Sequence, residues 1–225
     1  MPPPSPSDTP AQVAAFYGHH TNLLRAGLLV AMTGVAFQFP FFTAIFFQMK
    51  RIEGPTAPLA YIQLLTGTVG VFIFFVPMML LEAAAFRPDR DPSVTQALND
   101  AGWIPFLGTF PLAVMQLVVI AVAIFKDRRP EPVYPRWIAY FNIWVALGFP
   151  LASLNIFVKS GPFAWPGIFT FWIPATVYFA WFIVMFVWTL KAINQQEREL
   201  GASLTQPASR DTAPPPIAAT AGQPA

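Results

Sequence analysis

The sequence predicts an all-α polytopic membrane protein, a bundle of about five transmembrane helices with a short interfacial helix in the second loop. Three observations predict it. Of 225 residues, 55% are hydrophobic and 11% charged, with a mean hydropathy of +0.52. Soluble chains carry about 25% charged residues, so this one has too few to cover a water-facing surface. The charges are also spaced. Uncharged runs of 24, 25 and 22 residues lie between Arg25 and Lys50, Asp100 and Lys126, and Arg136 and Lys159. Each exceeds the roughly 20 residues that cross a bilayer as a helix. Finally, Tyr17, Tyr61, Trp103, Tyr134, Trp137, Tyr140, Trp165, Trp172 and Trp188 stand at or near the ends of apolar segments. Amphipathic rings favour that headgroup level. An open chain in hydrocarbon must bond its own backbone, which makes each span a helix.

In order along the chain, residues 1–20 are expected to form a Pro-rich disordered tail, 21–195 the transmembrane domain and 196–225 a disordered tail around Pro214-Pro215-Pro216. The first 24 residues lack the basic start of a signal peptide, and the apolar run after Arg25 is too long for an h-region, so it should be retained. Expected spans are 24–48, 59–85, 102–125, 137–158 and 168–190. On span one, Gly27, Ala31, Gly34 and Gln38 share a face; on span two, Gln63, Gly67 and Gly70 do the same. Small faces let helices approach closely, and Gln38, Gln63, Gln116 and Asn142 are read as interhelical hydrogen-bonding groups. In the second loop, Asp91 before Pro92 forms a cap and first-turn pair for a surface helix carrying Val94 and Leu98. Spans three and four share an echo, Phe110-Pro111-Leu112-Ala113 and Phe149-Pro150-Leu151-Ala152, read as chance or a packing constraint. Span five carries aromatics on nearly all sides, which suits lipid or a partner subunit.

Five spans place Arg25, Arg87, Arg90 and Lys159 at one end, and nine basic residues from Lys50 to Arg210 at the other. The positive-inside rule then sets the amino terminus outside and the carboxyl terminus in the cytoplasm, in a cell membrane. The bias of Arg over Lys and the Ala and Pro content fit a GC-rich bacterial genome.

The absence of Cys removes disulfides, thiolate metal sites and thiol nucleophiles. The two histidines, His19 and His20, precede the first apolar run, so no span is expected to offer an axial haem histidine. Neither cofactor, resident metal nor catalytic residue is expected, and no basic stripe suggests nucleic acid. Thr68-Val69-Gly70 lacks the Tyr-Gly that completes a potassium filter. Asp89 and Asp91 lack the remaining oxygen ligands of a calcium loop.

Two features remain as ligand candidates. Glu82 is a carboxylate within span two, although Arg87 follows by five residues and an interfacial role competes. Every span carries a proline, at Pro40, Pro77, Pro105 and Pro111, Pro150, and Pro174. The resulting kinks could enclose an outward-facing cavity with Glu82, Thr109, Asn155 and Thr170. The leading expectation is a non-enzymatic accessory or scaffold subunit in the lipid bilayer, with a second copy or a membrane complex as partner. The alternative is a carrier or permeation protein for a small, mostly apolar molecule, using that cavity.

Overall fold

A computed structural model of the chain describes residues 3–108 and 110–205. Thr109 and the tail beyond residue 205 lie outside the described residues. The elements are α1 (Pro10–Ala36), α2 (Gln38–Glu53), α3 (Pro58–Phe86), α4 (Pro92–Gly108), α5 (Pro111–Lys126), α6 (Arg136–Ala152), a 3-10 turn (Ser153–Ile156), a π-helical turn (Ile168–Trp172) and α7 (Ile173–Thr205). Among the described residues there is no strand. Five continuous or nearly continuous helical stretches are long and apolar enough to cross a membrane: Pro10–Glu53, Pro58–Phe86, Pro92–Lys126, Arg136–Ile156 and Ile168–Leu204. The protein is therefore a multi-span helical membrane protein.

Helix formation begins earlier than the Pro-rich start suggests. Thr9 and Gln12 form a reciprocal capping box, and Pro10 takes the first turn, where its missing N–H costs nothing. Val13 and Tyr17, one turn apart, are buried against Ala84 and Ala85 of α3, with Phe16, Leu24 and Leu98 packed around them. Burial of that face orders residues 10–20, which sequence composition had assigned to a tail. The Tyr17 hydroxyl donates to Asn99 Oδ1 at 3.0 Å and Gln96 Nε2 donates to the Asp8 carbonyl at 3.0 Å, tying α1 to α4. His20 leaves helical geometry (φ −119°, ψ 16°), so the initial segment bends relative to the rest of α1.

Helix α4 starts at Pro92, as the Asp91-Pro92 pair predicts, with Asp91 Oδ1 accepting from the Ser93 N–H at 2.8 Å. It runs on through Trp103 to Gly108 because its inner face packs on α3. A Cβ on Gly102 would lie 2.7 Å from Leu81 Cδ2, so the two helices meet at van der Waals distance only because position 102 has none. Helix α3 packs against α1, α2, α4 and α5; α5 also packs on α6, and α7 on α6 and α2.

Four of the five spans change helix geometry along their length. Span one breaks at Phe37, where Pro40 lacks the N–H that would bond the Ala36 carbonyl. In span three α4 ends at Gly108 and α5 begins at Pro111, span four tightens to a 3-10 turn after Pro150, and span five opens with a π-turn just before Pro174. Span two stays one helix, with Pro77 inside it.

Each end is closed by polar contacts. At the Arg87 end, the Arg25 guanidinium donates to the Ala85 carbonyl (3.1 and 3.2 Å) and the Phe86 carbonyl (2.7 Å), satisfying the last turn of α3. Trp165 Nε1 donates to the Pro4 carbonyl at 2.6 Å. At the Lys50 end, Glu53 accepts from the Leu59 and Ala60 N–H groups at 3.2 and 2.8 Å, serving the start of α3. Asp127, buried, accepts from the Val133 N–H at 2.8 Å and pairs with Arg129 at 3.1 Å. The buried Tyr134 hydroxyl lies 3.1 Å from Thr189 Oγ1, and burial pushes its ionisation well above the usual tyrosine range, so it stays a neutral hydrogen-bonding group.

Candidate ligand cavity

The helix breaks cluster around one cavity of about 640 Å³. Gly34 and Gln38 flank the break in span one, Leu107 and Phe110 that in span three, Phe149 and Ala152 precede the turn in span four, and Phe171 and Pro174 straddle the π-turn of span five. Ile73 of α3, whose carbonyl would ordinarily bond the N–H that Pro77 lacks, completes the ring. Broken helices at membrane depth are tolerated where they line a cavity.

The wall is aromatic. Phe106 meets Phe74 edge-on at 5.3 Å, Phe74 stacks on Tyr178 at 5.5 Å (12°), and Tyr178 stacks on Trp181 at 6.2 Å (7°). Trp181 is held by its Nε1, which donates to Asn142 Oδ1 at 2.9 Å; Asn142 in turn donates to the Ile138 carbonyl at 2.8 Å. That polar chain fixes the ring while spending its hydrogen bonds away from the cavity. Among the described residues the lining contains no carboxylate, imidazole, amine or guanidinium, and its polar side chains besides Trp181 are Gln38, Gln116 and Tyr178.

Those three are weakly engaged. The Tyr178 hydroxyl donates to Gln38 Oε1 at 3.5 Å, the outer limit of a hydrogen bond. Gln116 is 7% exposed, and its Nε2 has no partner among the described residues. It presses instead on Gly67, where a Cβ would lie 2.7 Å away. By turning its terminal amide, Gln116 can present either a donor or an acceptor at the cavity wall. An unpaired buried amide costs about 1–3 kcal/mol, so this residue is held at the expense of stability.

The residues singled out from sequence divide into three groups. Ala31, Gly34, Gln38 and Gly70 line the cavity. Gly27 is exposed with no heavy atom within 4 Å of its missing Cβ, while Gly67 is buried against Phe42 and Gln116. Gln63, one turn before Gly67, is fully buried with both amide atoms unpartnered. Glu82, Asn155 and Thr170 lie outside the lining. Glu82 is half-buried, and among the described residues no hydrogen bond or ion pair engages it. The Thr170 hydroxyl donates to the Phe163 carbonyl at 2.8 Å, securing the π-turn. Asn155 is buried in the 3-10 turn beside Gly108 with its amide unpaired. Thr109 is outside the described residues.

The sequence offered one partial signal for the aromatic wall: Trp144, Tyr178 and Trp181 are amphipathic aromatics deep inside a span rather than at its end, and of these Tyr178 and Trp181 line the cavity while Trp144 is exposed. Compared with protein-family models, curated proteins and solved structures, the chain matches none of them.

Proposed function

We infer that this is a non-enzymatic membrane carrier or binding protein for a small, mostly apolar molecule bearing one or two hydrogen-bonding groups. The carrying observation is the 640 Å³ aromatic cavity, set where four spans break and edged by the unpaired amide of Gln116. Its volume falls in the range of about 300–1,000 Å³ typical of small-molecule pockets. An aromatic lining with no charged group suits an apolar ligand, and the two glutamines would orient its polar group. The site differs from the one expected near Glu82. The positive-inside pattern supports an outer amino terminus and a cytoplasmic carboxyl terminus in this reading.

The test is extraction of the purified protein with organic solvent, followed by mass spectrometry, for wild type and Ala113→Trp, whose indole would fill the cavity. A stoichiometric apolar compound in wild type and its loss in the variant are expected. Equal content in both would remove the cavity from the reading.

The accessory-subunit reading keeps one observation. Helix α7 buries a stripe that includes Trp181, Met185, Thr189 and Ala192, and leaves the side carrying Phe179, Ile183, Phe186 and Leu190 exposed. Lipid is sufficient to cover that side; a partner would show as a stable co-purifying membrane protein.

A further inference from the structure

We propose a second binding site, for one anionic phospholipid, in the groove between α2 and α7 at the Lys50 end, adjoining the cavity, with which it shares Gly34, Gln38 and Phe182. Two adjoining depressions form it, of about 820 and 450 Å³, sharing Pro40, Ala44 and Ile193 as common walls. The first is lined by Lys50, Arg51, Gln48 and Gln196. The second continues along the apolar side chains of Phe37, Phe41, Phe186 and Leu190. The groove is thus basic at one end and mostly apolar along the rest, where Gln38 and Thr189 are the polar exceptions among the described residues, the amphipathic profile of a lipid.

Its length agrees. From Lys50 back to Phe37 is 13 residues of helix, about 20 Å at 1.5 Å per residue. One leaflet including its headgroup region is half of the ~40–45 Å bilayer. The polar end therefore sits at headgroup depth when the apolar end reaches the middle of the membrane.

The charges select the headgroup. Arg51 is committed to the protein: it donates to Gln48 Oε1, to the Ala192 carbonyl at 3.0 Å and to Glu199 Oε2 at 2.8 Å. Gln48 Nε2 donates to Gln196 Oε1 at 3.0 Å, closing the same bridge from α2 to α7. This network fixes the end of the groove and pairs Glu199 with Arg51, while Glu53, one turn from Lys50 on α2, accepts from the Leu59 and Ala60 N–H groups. Lys50, half-buried beside it, has neither hydrogen bond nor ion pair among the described residues. Its ammonium is the cation left for a phosphate. If this end faces the cytoplasm, as the basic residues suggest, it also meets the leaflet richer in anionic lipid.

The experiment counts lipids retained by native mass spectrometry after delipidation and exchange with equimolar phosphatidylglycerol and phosphatidylcholine of the same chains. Wild type should retain one phosphatidylglycerol with about fivefold preference, the selectivity of one interfacial cation. Lys50→Gln should lose the preference and Lys50→Arg keep it. Ala44→Trp, which fills the shared wall, should release lipid of either headgroup. Equal retention of both lipids by wild type, or unchanged preference in Lys50→Gln, overturns the proposal. Release of the bound lipid by millimolar inorganic phosphate also overturns it, by assigning the polar end to a soluble anion. Loss of the cavity compound in Ala113→Trp leaves these outcomes unaffected, so the two sites are tested independently.

Discussion

Gly67 of α3 and Gln116 of α5 meet so closely that a Cβ on the glycine would sit 2.7 Å from the Gln116 amide nitrogen and 2.8 Å from Cδ2 of Phe42. The amide can swing away, since it ends a flexible side chain. The Phe42 ring is 2% exposed and packed in the main core, so it cannot yield as readily. Gly67→Ala is expected to lower stability in detergent by about 1–3 kcal/mol, the usual range for overpacking. In a Gln116→Ala background only the Phe42 part of the clash remains. Thermal unfolding of the two single variants and the double variant should therefore give a smaller penalty for Gly67→Ala when Gln116 is absent. Strict additivity would mean that the amide and the glycine do not press on each other.

Gln116 itself should trade stability for binding. Its Nε2 is buried without a partner, so Gln116→Met, which keeps the length and removes the polar atoms, deletes a desolvation cost. The ligand-free protein is expected to gain about 1–2 kcal/mol. Any apolar compound held by wild type should bind more weakly to the variant, because its polar group then faces a thioether. Thermal shift with and without the extracted compound checks both halves. A variant that is less stable without ligand would show that the amide is already satisfied by neighbours.

Glu82 provides the opposite case. A carboxylate inside a membrane segment is ordinarily suspect, yet this one is half-buried near the end of α3, away from the cavity lining. Glu82→Gln is expected to change stability by less than about 0.5 kcal/mol, as surface substitutions do. It should also leave the retained apolar compound unchanged. Loss of that compound in the variant would return Glu82 to the binding site.

Charge spacing and the length of the apolar runs carried the spans, because a bilayer tolerates few other arrangements of such a chain. The prolines carried the helix breaks: Pro40, Pro111 and Pro174 each stand within a few residues of one. What these breaks enclose was not legible. Periodicity says which residues share a face, but not which face of another helix they meet, so Gln116 read first as an interhelical hydrogen-bonding group and not as a cavity wall. The amino-terminal segment was legible and easily overlooked. Thr9 and Gln12 carry the spacing of a capping box, and Val13, Phe16 and Tyr17 form one apolar face, but the prolines before them dominate a composition-based reading.

Arg25 shows how an end-of-span charge can act as a structural clamp. All of its hydrogen bonds go to the carbonyls of Ala85 and Phe86, the last turn of α3, where a helix leaves acceptors unsatisfied and its dipole favours a cation. Arg25→Gln is expected to destabilise the protein by about 1–2 kcal/mol, the worth of charge-assisted hydrogen bonds partly shielded from water. Arg25→Lys keeps the charge but loses the fork that reaches two carbonyls at once, and should recover only part of that loss. Because the neighbouring Ala84 and Ala85 also pack Val13 and Tyr17, the loosened end of α3 should free the first turns of α1. Limited proteolysis of residues 10–20 should thus accelerate in Arg25→Gln before the spans unfold. Unchanged cleavage there, with lowered global stability, would show that the clamp acts on α3 alone.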